Sequence, residues 1–308
     1  MSSTLQVLVG GSVAIDNVKT PKADERDLLG GSASYAALAA AKLHPEVALL
    51  GIVGHDFPEG HLQMLADNGV NLDGLERSEA ESFTWSGEYH ENMNDRSTHA
   101  VAVNVLENWE VKVPEAARGA ELVVLANMAP VNQLQLISQL TAGKKFVMAD
   151  TMDLWISIAN KELHEVLQKI DLLVINESEA REFAGTSNLV VAGDVLREKG
   201  PRYVVIKLGE FGAYLFGPQG AFFRCGAWPL RDLEDPTGAG DTFLGGMAGY
   251  LAAHGLVEPG FEDLKRAIVE GSMLASFTCQ DFSTRQLEKV TPELLRERLE
   301  AYRAMSAY

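Results

Sequence analysis

The chain has 308 residues, 46% of them hydrophobic, a length that suits one large domain or two smaller ones around a sizeable core. Its formal net charge of -17 describes a surface that repels nucleic acid and anionic lipid, so neither nucleic acid nor membrane is an expected partner. Two cysteines, Cys225 and Cys279, make a disulfide framework improbable and fit a reduced, cytoplasmic setting.

In chain order, MSSTLQVLVGGSVAID carries no early Lys or Arg, and its apolar run is short and broken by Gly10 and Gly11. It reads as a first strand, Leu5 to Gly11, rather than a signal peptide. A helical pattern starts near Ala33, a strand covers Val47 to Gly54, and a second helix starts near Pro58. From Ser82 to Val113 the helical period is lost. Thr, Trp, Tyr and Val alternate with polar residues around an NMND turn, the pattern of antiparallel strands projecting from a core, and residues of about 14–30 add to that layer. Such a layer would serve as a lid or as a surface through which two copies pair. Strands follow at Glu121–Asn127, Lys145–Asp150, Asp171–Asn176 and Arg202–Gly209, with helices starting near Val131, Glu177 and Leu189 between them and near Ala239, Phe261 and Pro292 after them. The strands are continuous apolar runs, as in a parallel sheet buried on both faces, and their alternation with helices predicts an α/β doubly wound core. No segment reaches the ~18 uninterrupted apolar residues of a membrane span.

The stretch DPTGAGDTFLGG, Asp235 to Gly246, holds four glycines and two aspartates and runs directly into an apolar helix. Glycines permit positive φ and close approach to a ligand, while the free N–H groups and dipole of a helix start near Ala239 make an anion site without a cationic side chain. It lacks the terminal GK[ST] of a Walker A loop. Asp241 inside that anion site is costly unless it takes a proton from an attacking hydroxyl. The loop alone leaves open whether Asp241 is such a base or a first-turn cap.

DPTGAGDTFLGGMA resembles the C-terminal signature of the ribokinase-like (PfkB) carbohydrate kinase family. Four more elements resemble family landmarks in the family's order: GGSASYAALAAAKL (Gly30 to Leu43), VGHDFPEG, NESE (Asn176 to Glu179) and KLGEFGAYLF. Together they span most of the chain. The resemblance implies one ribokinase-like domain over residues 1–308, a three-layer α/β/α core with a mostly parallel sheet, and a small β lid at about 14–30 and 82–113. It implies ATP and Mg2+ as cofactors. Asp241 would be the catalytic base, with Gly238, Ala239 and Gly240 as the anion hole. Asn176 and Glu179 would organise Mg2+ and phosphates through water, although NESE could equally cap a helix. Lys207 ends a buried strand and needs an anionic partner, a phosphate of ATP or a structural carboxylate. Gly209 and Gly212 would let backbone approach the nucleotide. Glu270 to Cys279 resembles the helix beside the adenine. Asp235 and Thr237 match positions that hold a monovalent cation, K+, in many relatives, and Asp235 also reads as a turn residue before Pro236.

On the acceptor side the resemblance makes Asp16 the sugar-binding carboxylate and Gly30 and Gly31 the platform beneath the sugar. Two residues depart from it. Ala14 and Tyr35 stand where ribokinase-type sequences carry Asn, which argues against carrying ribose recognition across. The lid offers Trp85, Tyr89, His90 and Arg96: aromatics for stacking or packing, and an arginine that either reaches phosphate or lies on the surface. Asp150 and Asp153 flank a family D-x-N position occupied here by Met152, and His55 is expected to be non-catalytic. The expected activity is ATP-dependent phosphorylation of a hydroxyl, a primary hydroxymethyl, on a monosaccharide or related polyol. The alternatives are a nucleoside kinase of adenosine or inosine type, with Trp85 or Tyr89 on the base, and a non-catalytic sugar- or nucleotide-sensing protein on the same fold.

Overall fold

A computed structural model describes residues 6–307. Leu5, the expected start of the first strand, lies outside them. Strand β1 (Val7–Gly10) is followed by β2 (Ala14–Lys19), β3 (Asp24–Gly30), helix α1 (Ser32–Ala41), β4 (Val47–Val53), α2 (Glu59–Asp67), β5 (Val70–Arg77), β6 (Thr84–Tyr89) and β7 (Arg96–Ala102). Next come β8 (Leu122–Leu125), α3 (Pro130–Ser138), β9 (Phe146–Asp150), α4 (Asp153–Ile158), α5 (Asn160–Leu167), β10 (Leu172–Asn176), α6 (Glu177–Ala184), α7 (Leu189–Glu198) and β11 (Tyr203–Lys207). The chain closes with β12 (Ala213–Phe216), β13 (Phe222–Cys225), α8 (Ala239–Ala253), α9 (Phe261–Thr278), α10 (Arg285–Glu288) and α11 (Pro292–Ser306).

Nine strands form one sheet in the order β13-β12-β11-β10-β9-β8-β1-β4-β5. It is parallel from β11 to β5, and β12 and β13 are added antiparallel. The expected parallel strands are all present, each shorter by a residue or two at its ends. The apolar runs have the physical cause inferred for them. Val7 and Val9 join a core with α1, α2, α8, α9 and α11, whereas Leu8 between them joins a core with α3, α5, α6 and α7. Successive side chains of one strand enter opposite helix layers, so both faces of the sheet are dry.

The second sheet has the order β3-β2-β6-β7. It corrects the expected lid in two ways. Strands β2 and β6 are parallel, because the core segment 31–83 lies between them in sequence. The lid strands also end at Ala102: beyond it Val105, Trp109, Val111 and Val113 are buried in the main core, and Trp109 Nε1 donates to Glu76 Oε1 at 3.0 Å. The stretch 103–113, which alternates as a strand does, is a 3-10 turn at Asn104–Leu106 followed by coil, with its apolar residues packed into that core. The NMND turn is present, with Asn92 Oδ1 accepting from the Asp95 N–H at 3.0 Å.

Helix α8 contains Gly245, Gly246 and Gly249, each of which costs about 1 kcal/mol against alanine in a helix. Backbone approach offsets this. A Cβ on Gly245 would lie 2.1 Å from the Ala36 carbonyl of α1, and one on Gly246 would lie 2.9 Å from Gly271 Cα of α9. Helix α8 is thus held backbone to backbone between α1 and α9. Among the described residues no helix is long and apolar enough to cross a membrane, and both cysteines are free thiols.

Candidate active site

From β1 the sheet grows one way through β4 and β5 and the other way through β8 to β11, so the chain reverses direction between β1 and β8. In sheets of this kind ligands bind beyond the carboxyl ends of the strands at the reversal. Those ends carry Asp150 (β9), Asn176 (β10) and Lys207 (β11), with Asn176 and Lys207 in direct register. The N-terminus of α8, which packs over β1 and β8, brings Gly238 to Asp241 to the same edge.

Gly238 caps α8 with φ 74, a left-handed conformation that leaves the first-turn N–H groups free of a side-chain cap. Beneath it lies the ring of Tyr35, where a Cβ on Gly238 would fall 2.4 Å from Cδ1. Tyr35 is 2% exposed, and its hydroxyl bonds toward Ser283. The expected contact of Tyr35 with the acceptor is therefore corrected. The phenol fills the space between α1 and the glycine loop, which an amide would not fill, and props the loop from below. Gly240 faces the Lys207 ammonium, 2.8 Å from where its Cβ would be.

Asp241 opens the first turn of α8. Burial pushes its carboxyl up to about 7, and the negative charge of Asp150 adds to this. Lys207, Arg96 and its own backbone N–H pull the other way. A carboxylate poised near neutrality in a glycine-lined anion site is suited to accept a proton.

Lys207 Nζ lies 2.7 Å from Asp150 Oδ2, both largely buried, and the Asp150 Oδ1 accepts from the Thr151 N–H. Of the two partners considered for Lys207 the structure shows the carboxylate, and Gly240 of the glycine loop lies beside the ammonium. The NESE segment caps α6. Asn176 Oδ1 accepts from the Glu179 N–H at 2.9 Å and Glu179 Oε2 from the Asn176 N–H at 3.0 Å. Burial and the charge of Asp150 push the Glu179 carboxyl up to about 7, offset in part by Lys207. Gly209 and Gly212, with φ 55 and 95, make a tight turn between β11 and β12 in which the Leu208 N–H donates to the Gly212 carbonyl.

On the other side of the loop Asp16, on β2, is 4% exposed. Gly30 is glycine because a Cβ would lie 2.0 Å from the Asp16 carboxyl carbon. The Gly31 N–H donates to that carboxyl, and Asp16 Oδ1 has no partner. Burial, then Asp235 and Asp241, push the carboxyl up to about 8. Such a group calls for a hydroxyl donor. Trp85 is in register with Asp16 across β2 and β6, half-buried beside it, with its ring folded over Gly87. Asp235 is fully buried. Its oxygens accept from the Thr237 N–H at 2.8 Å and the Ser283 N–H at 3.4 Å, and burial raises its carboxyl despite these donors. His55 is exposed and bonds the Ala80 carbonyl, away from these groups. Ser283, which ties Asp235 to Tyr35, was not found from the sequence, since nothing in QDFST sets it apart. Asp150 was found only as a candidate.

A family model for the pfkB family carbohydrate kinases matches residues 12–290. The chain belongs to that family. This pfkB kinase is an ATP-dependent phosphotransferase with the ribokinase-like fold. It is 29% identical to a cytidine kinase of Thermococcus kodakarensis, over 82% of this chain and 91% of the relative. It is 26% identical to a deoxyribokinase of Salmonella typhimurium over 78% and 79% of the two chains. A Burkholderia thailandensis nucleoside kinase solved in complex with inosine superposes with a TM-score of 0.80 at 19% identity, covering 96% of this chain and 97% of that one.

Proposed function

We propose that this pfkB kinase transfers the γ-phosphoryl group of ATP to the hydroxymethyl oxygen of a nucleoside. The observation that carries the reading is the buried, unpartnered Oδ1 of Asp16 facing the same loop as Asp241. Asp16 would accept hydrogen bonds from sugar hydroxyls on the Gly30–Gly31 platform. Trp85, beside that carboxylate, offers a flat apolar face for the base, and the likeness to the cytidine kinase supports it. A free monosaccharide, the acceptor expected from the sequence, is the second reading; the likeness to the deoxyribokinase favours it.

Asp241 takes the hydroxyl proton while that oxygen attacks the γ-phosphorus in line. The amides of Gly238, Ala239 and Gly240, fixed by the left-handed turn, receive charge developing on the phosphoryl oxygens. The residues fit a divalent cation: Glu179, Asp150 and Asp241 crowd one lysine, and burial, with the charge of Asp150 added, pushes the Glu179 and Asp241 carboxyls up to about 7. Among the described residues no group of three or more His, Cys, Asp or Glu forms a metal cage by itself. Such a cation, Mg2+, would be held by Glu179 and Asn176 through water, and it supplies charge neutralisation at the phosphates. Asp235, a buried carboxylate beside the Thr237 hydroxyl, is suited to a monovalent cation such as K+.

The test is ADP release over a panel of cytidine, inosine, adenosine, deoxyribose, ribose and fructose, with K+ or choline as the counter-ion. A nucleoside is expected to give the highest kcat/KM, and Trp85→Ala to raise its KM at least tenfold. Turnover of a free sugar with no nucleoside activity would replace the first reading by the second. ATP binding without ADP release on any acceptor would return the chain to a sensing role.

A further inference from the structure

The Gly30–Gly31 platform meets a different chemistry at each end. At Gly30 it meets Asp16, whose Oδ1 is a buried oxygen without a partner. Beyond Gly31 it meets Asn127, two residues past the end of β8 at the chain reversal. The Asn127 carbonyl accepts from Ser32 Oγ at 3.0 Å and from the Ser12 N–H at 3.3 Å. Gly30 and Ser32 are two residues apart, at most about 7 Å along the chain, so one sugar with its substituent spans them.

The Asn127 side chain is held in one orientation. Trp155 Nε1, on α4, lies 2.8 Å from one of its amide atoms, and an indole N–H only donates, so that atom is the carbonyl oxygen Oδ1. Nδ2 is thereby turned the other way, 3.1 Å from Met152 Sδ. A thioether is a weak acceptor, and the second Nδ2 proton has no partner among the described residues. The strand ends beneath are clamped too. The buried Gln133 Nε2 lies 3.4, 3.3 and 3.2 Å from the carbonyls of Leu125, Ala126 and Asp150, which ties the end of β8 to the end of β9. Asn127, Met152 and Trp155 are each half-buried, so the amide stands at the cleft with a donor unspent. A donor fixed at the level of the platform suits an oxygen acceptor just above the sugar. In a pyrimidine nucleoside the 2-carbonyl sits beside the glycosidic nitrogen and is the base oxygen nearest the sugar. A purine places a ring nitrogen there, shorter in reach by a C=O bond of about 1.2 Å.

We propose that Asn127 is a specificity-determining residue that donates from Nδ2 to the 2-carbonyl of a pyrimidine nucleoside, and that Trp155 is the positioning residue that turns it. Asp16 holds sugar hydroxyls at one end of the platform, and Asn127 reads the base at the other. Trp85 gives the base a face to stack on without reading its edge. The inference rests on the nucleoside reading above.

The experiment measures turnover of cytidine, 2-thiocytidine and adenosine by wild type, Asn127→Ala, Asn127→Asp and Trp155→Phe, with calorimetric MgATP binding as the check that each variant folds. The sulfur of 2-thiocytidine keeps the base and weakens the acceptor. Wild type should favour cytidine over 2-thiocytidine about tenfold in kcat/KM. Asn127→Ala should raise the cytidine KM about 30-fold, the scale of a carbonyl left without its donor, while kcat and MgATP affinity change by no more than about threefold. The preference for cytidine over 2-thiocytidine should vanish with it. Asn127→Asp keeps the indole hydrogen bond and sets an oxygen against the carbonyl, so it should bind cytidine no better than Asn127→Ala, whereas a purely structural Asn127 would tolerate the change. Trp155→Phe frees the amide to rotate and should raise the cytidine KM about fivefold. Equal losses for cytidine and 2-thiocytidine in Asn127→Ala would overturn the inference and leave the nucleoside reading intact. So would wild-type turnover of cytidine no better than that of adenosine or 2-thiocytidine, a comparison that needs no variant to fold. A wild type that phosphorylates free sugars and no nucleoside would end both.

Discussion

Asp241→Asn separates two consequences of one carboxylate. As the base it should lower kcat by about 10^3-fold, within the range for loss of a positioned general base. As a buried acid it should also change stability, in a direction the chemistry alone would not suggest. The carboxyl is raised from 3.8 to about 7 in the folded chain. Between those values the unfolded chain has released its proton and the folded chain keeps it, so stability falls as pH rises through that window. At about 1.4 kcal/mol per unit the ceiling is ~4 kcal/mol, and the open cleft, which leaves Asp241 partly hydrated, brings this to about 2 kcal/mol. Asparagine removes the charge and keeps the shape. Without nucleotide the variant should melt about 3 °C above wild type at pH 8.5 and within 1 °C of it at pH 5, where the wild-type carboxyl is already protonated. Scanning fluorimetry at the two pH values and single-turnover kinetics give both readings. A variant with near-wild-type kcat, or one no more stable at pH 8.5 than at pH 5 relative to wild type, would refute the assignment of a strained, proton-accepting Asp241.

Two further changes probe its neighbours. Gly30→Ala places a methyl about 2 Å from the Asp16 carboxyl and should raise acceptor KM at least tenfold while MgATP affinity holds, measured by turnover and calorimetry. Asp150→Asn removes a charge that raises the Asp241 carboxyl, so the acidic limb of the kcat profile should move from near pH 7 to lower pH; a limb that stays or moves up would show that another group sets it.

The legible part of this molecule is the part written in periodicity and in glycine. The continuous apolar runs fix the parallel sheet because Val7, Leu8 and Val9 must each find a dry layer. The glycine loop, Asp16 with Gly30, and the N-x-x-E cap are local in sequence, so they could be read without knowing what surrounds them. What failed was long-range. Residues 103–113 alternate as a strand does, yet Trp109 and its neighbours are bound to the main sheet by contacts no local pattern records. Tyr35 occupies a position associated with acceptor binding, and only the packing against Gly238 shows it beneath the loop. The facing of Arg96, which pairs with Tyr89 across β6 and β7, depends on hairpin register, and the sequence offered both a phosphate ligand and a surface arginine.

The glycine contacts of α8 have a consequence for how acceptor preference can change. Helix α1 carries the Gly30–Gly31 platform at its start, α8 carries Asp241 at its own, and the two touch through bare backbone at Gly245 and Ala36. The distance from Gly30 and Gly31, the proposed acceptor floor, to Asp241, the proposed base, is thereby set by a contact with no side chain to trim or enlarge. Reshaping of the pocket is left to β6 and β7, whose residues can be exchanged without retuning that distance. An engineer seeking a new acceptor should randomise the hairpin around Trp85 and leave the helix pair alone.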